Sequence, residues 1–227
     1  MDAKHLTFPG SGQGLGVWDR LSPEDAGLDV GVIGAIDRFV EANPNAHPRC
    51  SPRWGLWRCG RLIHASVEDD DGFVETIDVA SLRKTWHAMM VGAAVHQERI
   101  PSIDQPIGEW IEVEERFASV TWRHVMMQTA GLDYPYGEYP SYEPGKMWTY
   151  SDLNLVVLCN ALARVYGRED FYDDYASCAS AAYFDAIGME GWSTKIVFDK
   201  ASQIDDGVRF VISLDHMGRL GLFALAR

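Results

Sequence analysis

The tetrapeptide Ser81-Leu82-Arg83-Lys84 opens an apolar helical stretch that continues to Val95. Residues three apart lie on the same face of a helix, so the hydroxyl of Ser81 and the amine of Lys84 meet one turn apart. A lysine that is desolvated enough to lose its proton can deprotonate the serine and create a nucleophile that accepts an acyl group. Because Ser-x-x-Lys also arises by chance, the alternative is a serine that caps the helix, followed by a surface lysine.

The rest of this helix favours the catalytic interpretation. We expect it to run to about Arg99 and to end before Pro101. Its apolar stripe consists of Trp86, Met89, Met90, Ala93 and Ala94. A helix that is apolar on most faces is buried, and burial favours the neutral form of an amine such as that of Lys84. The N-terminal end of the helix also offers backbone N–H groups that can stabilise an oxyanion.

Composition indicates an ordinary globular protein. The chain has 227 residues, of which 47% are hydrophobic and 23% are charged, and we predict a single domain over residues 1–227 with a flexible segment at 1–20. The formal net charge of -13 and the lack of a Lys/Arg block argue against a nucleic-acid or anionic-membrane surface. The segment Met1–Pro9 has no signal-peptide pattern, which predicts a cytoplasmic protein; the alternative of a periplasmic protein that has lost its leader stays open.

No cofactor and no metal are predicted. The cysteines show no C-x-x-C spacing and no histidines at zinc-binding spacing, so we expect free thiols at Cys50, Cys59, Cys159 and Cys178. The glycine-rich segment Gly10–Gly16 lacks the G-x-G-x-x-G spacing of a dinucleotide site and is predicted to be a loop.

Several further elements are predicted around the Ser81 helix. One helix should run from about Asp29 to Asn43, with one apolar face made of Val32, Ile33, Ile36, Phe39 and Val40. Strand-like segments joined by a tight turn predict a hairpin over Arg53–Trp57 and Arg61–Ser66. Three more helices are predicted, a short one capped by Thr121, one from Asp152 to Val165, and one around Asp170 to Ala186.

The segment from Leu132 to Tyr150 is rich in tyrosine, proline and glycine, which is typical of an ordered loop with aromatic walls. Tyr134 and Tyr136 are therefore candidate substrate-binding residues. The alternative is that these tyrosines only pack the loop onto the body of the protein.

Three segments resemble the penicillin-recognising serine hydrolases, the superfamily of class C β-lactamases, D-alanyl-D-alanine peptidases and related esterases. Ser81–Lys84 resembles the Ser-x-x-Lys motif, and Val120–Leu132 is similar to the segment Ile-Thr-Ile-Arg-His-Leu-Leu-x-x-Thr-Ser-Gly-Leu. Pro144–Asn154 resembles the segment with the second motif, Tyr-x-Asn. The resemblance spans about Leu21 to Arg227. It implies an α/β fold of the α+β type, β-lactamase/transpeptidase-like, with a helical lobe and an antiparallel sheet.

The same resemblance implies roles for the site residues. Ser81 would be the nucleophile, Lys84 the general base and Tyr150 the proton shuttle to the leaving group, after which water releases the acyl-enzyme. Asp152, a substrate-binding position, stands where the motif has Asn. The change loses an amide donor but keeps an oxygen that can hold the Lys84 ammonium. This departure favours esters or amides over β-lactams.

The superfamily's third motif, Lys-Thr-Gly or His-x-Gly, is matched only by His216-Met-Gly218. We reject this match because Ser213–Leu225 has the pattern of an amphipathic helix. On the superfamily's plan the third-motif strand also supplies an oxyanion donor, and loss of one such donor typically costs about a hundredfold to a thousandfold in turnover. We therefore predict an incomplete sheet, completed by a missing C-terminal segment or by a partner chain.

These residues favour a serine hydrolase that acts on a small ester, amide or β-lactam through Ser81, Lys84 and Tyr150. The first alternative is a catalytically inactive truncated remnant, or a binding module of the same fold. A more distant one is an α/β-hydrolase triad, for which the sequence has no G-x-S-x-G, although it offers a base in His87, His96 or His124.

Overall fold

The structure is a computed structural model that describes residues 8–10, 12–43, 52–67, 69–132, 142–199 and 204–226. The chain divides into two compact units. Unit 1 consists of Met1–Asp78, Asp185–Trp192 and Val211–Arg227, and unit 2 consists of Val79–Phe184 and Ser193–Phe210. The single domain over residues 1–227 stays a prediction.

Helices and short strands alternate along the chain. The α-helices are α1 Val30–Ala42, α2 Asp70–Val74, α3 Arg83–His96, α4 Trp122–Met126, α5 Asp152–Val165, α6 Tyr175–Ala179 and α7 Leu214–Leu225. The strands are β1 Gly55–Arg58, β2 Arg61–Ala65, β3 Ile77–Asp78, β4 Ser193–Asp199 and β5 Ile204–Ile212. β1 pairs with β2, and the other three strands form a sheet in the order β3-β5-β4. Helices with small antiparallel sheets are the predicted α+β arrangement.

β1 and β2 form the predicted hairpin in unit 1. They pair antiparallel, with Gly55 opposite Ala65. The turn residues Cys59 and Gly60 have φ of 53° and 77°, and a two-residue turn with positive φ at both positions matches the right-handed twist of the strands. On its other side β2 is bridged to Arg20, so β1 is the outer strand. No further strand among the described residues pairs with β1.

α1 has nearly the predicted bounds, and most of its apolar face is exposed. Ile33 is buried. The exposed large side chains of the helix include Val32, Ile36 and Phe39. The reason is that the hairpin contacts one side of α1, where Asp37 accepts hydrogen bonds from Trp54 and His64, each at 3.0 Å.

The described part of the N-terminal segment contacts α7, and the flexibility expected over 1–20 stays a prediction. Trp18 is 4% exposed and donates a hydrogen bond to Asp215 on α7. Arg219, one turn further along α7, forms an ion pair with Asp215 at 3.0 Å. Its guanidinium also donates to the backbone oxygens of Pro9, Gly10, Gly12 and Ile187. A buried guanidinium needs several acceptors, and here most of them belong to this segment.

α7 is the amphipathic helix that the sequence predicts at Ser213–Leu225. Ser213 caps it by accepting the N–H of His216, and the ring of His216 accepts the N–H of Ser213 in return. The core of unit 1 includes side chains from α7, namely Leu214 and Leu222, packed with Trp18, Leu62 and Phe73. His216 therefore has a structural role in a helix, which confirms that His216-Met-Gly218 is not a strand motif.

α3 is a central helix of unit 2. Its buried apolar side chains are Trp86, Met90, Val91 and Ala94. The rings of Trp86 and Phe210 lie 6.1 Å apart, which packs α3 against β5. β4 and β5 were not predicted from the sequence. α6 begins later than predicted, at Tyr175, and continues as a π-helical turn over Ser180–Phe184.

The cysteines of this chain were expected to be free thiols. Cys159 and Cys178 are buried free thiols, whereas Cys59 is exposed and Cys50 lies outside the described residues. None of the described helices combines the length and the apolar character needed to cross a membrane.

Candidate active site

Ser81 lies on a turn at the start of α3. It belongs to a 3₁₀ turn, Ala80–Leu82, and the α-helix itself begins at Arg83. Ala80 has φ 45°, a left-handed conformation that residues with a side chain rarely adopt. Ser81 is exposed to solvent. The helix start was therefore predicted two residues early, and the nucleophile candidate is presented by a strained turn.

Lys84 reaches Ser81 as the three-residue spacing predicts. Its Nζ lies 3.4 Å from Ser81 Oγ. The same Nζ donates to Asp152 Oδ1 at 2.6 Å and to the Tyr150 hydroxyl at 2.8 Å. The Lys84 side chain is 17% exposed, so this cation and its partners are largely shielded from water, which strengthens their electrostatic interaction.

Tyr150 contacts Ser81 more closely than Lys84 does. The Tyr150 hydroxyl lies 2.6 Å from Ser81 Oγ. The four predicted side chains Ser81, Lys84, Tyr150 and Asp152 therefore form one connected set in unit 2. An exposed hydroxyl in hydrogen-bonding contact with a group that can accept its proton is the requirement for acyl transfer.

Gln128 holds the backbone on both sides of Tyr150. Its backbone oxygen accepts the N–H of Thr149 at 2.9 Å, and its side-chain oxygen accepts the N–H of Ser151 at 2.8 Å. These two bonds fix the segment that presents the Tyr150 ring. Gln128 was missed from the sequence, because neither its residue type nor its spacing marks it.

Asp152 is the first residue of α5, where a carboxylate is stabilised by the helix dipole. Its Oδ1 lies 3.6 Å from Nη2 of Arg83 as well as 2.6 Å from Lys84. Arg83 is 1% exposed. The sequence interpretation treated Arg83 as a variable position of Ser-x-x-Lys. The signal that would have found it is a charged residue at a buried position of an apolar helix.

His87 is buried behind this set and has structural partners. Its Nδ1 lies 2.8 Å from the Tyr175 hydroxyl, and its Nε2 donates to the backbone oxygen of Val208 at 3.1 Å. Burial is the largest cause that lowers the pKa of His87, to about 3. Burial likewise raises the pKa of the neighbouring Cys159 thiol to about 11. Both groups are neutral near pH 7, and neither is a base or nucleophile for Ser81.

The other proposed histidine bases are also placed elsewhere. His124 takes part in the cap of α4, where its ring accepts the N–H of Thr121 at 3.2 Å. His96 is exposed in the last turn of α3. His216 lies in α7, where burial lowers its pKa and its Nε2 donates to the backbone oxygen of Glu190.

The remaining predicted site residues lie beyond what the structure describes. Tyr134 and Tyr136 fall within 133–141, outside the described residues. Over the described ranges, no group of three or more His, Cys, Asp or Glu side chains is arranged to hold a metal ion.

Comparison with solved structures shows the fold. A penicillin-binding protein homologue from Pyrococcus abyssi, described as octameric, matches with a TM-score of 0.62 and 13% identity, over 86% of this chain and 56% of that one. A putative 6-aminohexanoate-dimer hydrolase from Bacillus anthracis matches with a TM-score of 0.58 and 15% identity, over 84% and 56%. A penicillin binding protein from Bacillus halodurans matches with a TM-score of 0.51 and 17% identity, over 66% and 60%. The chain thus has the β-lactamase/transpeptidase fold and spans little more than half the length of these structures.

Family membership follows from the sequence itself. The Beta-lactamase family model matches residues 75–195, more than half of the 227 residues, and this range includes Ser81, Lys84, Tyr150 and Asp152. The chain belongs to the Beta-lactamase family, whose members are hydrolases. A comparison with curated proteins gave no match.

Proposed function

We propose that this protein is a serine hydrolase that forms an acyl-enzyme on Ser81. The observation that carries the proposal is the 2.6 Å contact between Ser81 Oγ and the hydroxyl of Tyr150, which in turn lies 2.8 Å from Lys84. Such a contact gives the serine a route for its proton as it attacks a carbonyl. Membership of a hydrolase family supports the proposal.

In the proposed reaction Ser81 Oγ attacks the carbonyl carbon of the substrate while its proton passes to the Tyr150 phenolate oxygen. Tyr150 then protonates the leaving group, which departs and leaves the acyl group on Ser81. In the second half Tyr150 takes a proton from water as the water attacks the acyl-enzyme. That proton returns to Ser81 Oγ when the acid product leaves, which restores the starting state.

Lys84 serves in this proposal as the cation beside Tyr150 and not as the general base that the resemblance implies. As the cation of an ion pair with Asp152, it has no lone pair with which to accept a proton. Its 3.4 Å distance to Ser81 is also longer than the 2.6 Å of Tyr150. A cation at 2.8 Å instead attracts the negative charge that the proposed first step places on the Tyr150 oxygen.

Asp152 supports the preference for esters and amides over β-lactams. A carboxylate cannot donate a hydrogen bond to a substrate carbonyl, whereas the Asn of the superfamily motif can. The carboxylate of Asp152 is moreover occupied by two cations, Lys84 and Arg83. We therefore propose that Asp152 binds Lys84 and that other groups bind the substrate.

Exposed apolar side chains beside Ser81 and Tyr150 favour a substrate with an apolar group. Leu82, which follows Ser81, is 50% exposed, and Trp148, two residues before Tyr150, is 64% exposed. The rings of Trp148 and Tyr150 lie 6.4 Å apart. Exposed apolar surface next to a nucleophile is typical of a binding surface for an apolar part of a ligand. We propose that the acyl or leaving group binds there.

The proposal includes a further polypeptide segment that pairs with β1. The outer edge of β1 is unpaired among the described strands, and the apolar side chains of α1 on that unit are exposed. An open edge and an exposed apolar face are both unfavourable in water. A strand supplied by a longer form of this chain, or by a partner chain, would satisfy both.

Labelling with a fluorophosphonate probe, followed by peptide mapping, tests the proposed function. The expected adduct lies on Ser81 and disappears in Ser81→Ala, while Ser151→Ala, which changes the serine that caps α5, leaves the adduct on Ser81. A chain that binds a candidate ester without hydrolysis, with the same affinity in Ser81→Ala, would be a binding module and would overturn the proposal.

A further inference from the structure

The segment that presents Tyr150 belongs to no helix or strand over residues 147–151. Tyr150 itself is 48% exposed, so the packing of its ring holds it only in part. A hydroxyl that has to meet Ser81 Oγ at 2.6 Å must nevertheless be held to within about 0.5 Å of that geometry. The position of the Tyr150 hydroxyl therefore depends on what holds the backbone of this segment.

One residue, Gln128, accepts hydrogen bonds from the peptide groups on both sides of Tyr150. Its backbone oxygen accepts the N–H of Thr149 at 2.9 Å, and its side-chain Oε1 accepts the N–H of Ser151 at 2.8 Å. Any residue type can supply the first acceptor, but the second requires a side-chain oxygen at this reach. The Ser151 hydroxyl in turn caps α5, so the second bond connects Gln128 to the start of that helix.

The backbone of Gln128 has a conformation that suits a different residue type. Its φ is 59°, in the left-handed region that glycine adopts more readily. Residues held in this region occur often at functional sites, where the contacts that they make offset the strain. Gln128 also stands at an open position of the superfamily segment that Val120–Leu132 resembles. The glutamine is therefore a feature of this chain that the resemblance does not explain.

We propose that Gln128 is a positioning residue, which places the Tyr150 hydroxyl against Ser81 through its side-chain oxygen. The proposal rests on the function proposed above, in which Tyr150 receives the proton of Ser81. Loss of the Gln128 oxygen leaves the Tyr150 hydroxyl present but lets its segment move. A displacement of about 1 Å at a reacting contact can slow a reaction about a hundredfold.

A double-mutant cycle tests the proposal. Gln128→Met, which keeps the length of the side chain and loses its oxygen, is made in the parent chain and in Tyr150→Phe. The measurement is the second-order rate of fluorophosphonate labelling of Ser81. Gln128→Met should slow labelling about tenfold to a hundredfold in the parent. In Tyr150→Phe, which has no hydroxyl to position, the same change should slow labelling less than about threefold.

Two further variants test the reach of the side-chain oxygen. Gln128→Glu keeps an oxygen at the same reach and should restore most of the labelling rate. Gln128→Asn keeps the amide but is one methylene shorter, so it should label as slowly as Gln128→Met.

Gln128→Gly separates positioning from stability. Glycine adopts this φ without strain but has no side-chain oxygen. The midpoint of thermal unfolding should therefore stay within about 4 °C of the parent, while labelling slows as in Gln128→Met. Gln97→Met is the matched control, because Gln97 donates to the backbone oxygens of Ala181 and Ala182 in the same unit. Gln97→Met should lower thermal stability and leave the labelling rate unchanged.

The outcomes distinguish this inference from the proposed function. Labelling of Gln128→Met at the parental rate would overturn the inference and leave the proposed function in place. Equal rate losses in the parent and in Tyr150→Phe would also overturn it, because Gln128 would then act by a route other than Tyr150. A parent chain that shows no label on Ser81 would overturn the proposed function, and the inference with it.

Discussion

At the scale of single residues, Tyr150 connects Ser81, the proposed nucleophile, to the charged groups. Its hydroxyl is 2.6 Å from Ser81 Oγ and 2.8 Å from Lys84 Nζ, so it is the direct link between them. The ring is 48% exposed, which leaves it accessible to a substrate. Removal of this one oxygen takes the proposed proton acceptor away from Ser81 and leaves the other side chains of the site in place.

We therefore expect Tyr150→Phe to slow labelling of Ser81 by about a hundredfold to ten-thousandfold, the usual contribution of general acid–base catalysis. Tyr172→Phe is the matched control, because Tyr172 is similarly exposed, at 53%, in the same unit. The second-order labelling rate at fixed pH is the measurement. Equal rates for Tyr150→Phe and the parent would remove Tyr150 from the mechanism.

His87 affects stability through its protonation. Its pKa is lowered from 6.5 to about 3, mainly by burial, so the folded protein keeps it neutral while the unfolded chain protonates it below pH 6.5. Between these two pH values the unfolded state binds more protons. The folded state therefore loses stability as the pH falls from about 6.5 towards 3, by at most about 1.4 kcal/mol per pH unit, and gains nothing further above 6.5.

His87→Phe should weaken this acid dependence, because Phe cannot be protonated in the unfolded chain and fits beside Phe210, whose ring centroid lies 4.8 Å from that of His87. The measurement is the free energy of unfolding in urea at about pH 4.5 to 6.5, a range that lies between the two pKa values above. His96→Gln changes an exposed histidine of the same helix and should keep the acid dependence. An unchanged acid dependence of stability in His87→Phe would show that His87 is not its cause.

The residues of the site could be predicted because their chemistry allows only a few residue types at a few spacings. The spacing of Ser81 and Lys84 requires one helical face, and the Tyr150–Asp152 segment resembles a motif, so their meeting was expected. Arg83 and Gln128 were not predicted. Their roles depend on which carboxylate and which backbone N–H groups the fold brings near them, and sequence spacing does not encode that.

At the scale of elements, the buried ion pair of α7 is the strongest local constraint in unit 1. Asp215 and Arg219 are both 0% exposed, and the carboxylate of Asp215 also accepts the indole N–H of Trp18. Removal of one member leaves the other as an uncompensated buried charge, which typically costs about 3 to 5 kcal/mol. Most of the backbone oxygens bound by Arg219 lie in the segment around Pro9 to Gly12.

Arg219→Met should therefore lower the free energy of unfolding by about 3 to 5 kcal/mol and release the N-terminal segment. Urea unfolding measures the first effect, and faster amide hydrogen exchange around residues 12–18 measures the second. The double variant Asp215→Leu, Arg219→Met should be less destabilised than Arg219→Met, because no lone charge is left. Slow exchange in Arg219→Met would show that other contacts hold the segment.

Elements were predicted where the local signal was strong. The turn at Cys59 and Gly60 and the amphipathic pattern of Ser213–Leu225 predicted the hairpin and α7 from the sequence. β5 was missed, although Val208, Phe210 and Ile212 are buried at every second position. Apolar residues with a period of two predict a strand. The exposure of Phe39 on α1 was not predictable, since periodicity shows which face is apolar but not whether anything covers it.

At the scale of the whole molecule, the open edge of β1 and the exposed face of α1 predict self-association of this chain. Phe39, 68% exposed, is the largest contributor to that face. Phe39→Glu should reduce the concentration-dependent increase in sedimentation coefficient without a loss of thermal stability. Leu225→Glu, which changes a 71% exposed residue at the end of α7, is the matched control and should leave this increase in sedimentation coefficient unchanged. Equal sedimentation of Phe39→Glu and the parent would contradict self-association through the exposed face of α1.

The central claim is that Ser81 carries the acyl group, and trapping of the acyl-enzyme tests it most directly. An activated ester with an apolar acyl group is mixed with the protein, the reaction is stopped with acid, and tandem mass spectrometry locates the acyl group. The account predicts stoichiometric acylation of Ser81, none in Ser81→Ala, and slow acylation in Tyr150→Phe. Acylation of a different residue, or undiminished acylation of the chain in Ser81→Ala, would contradict it.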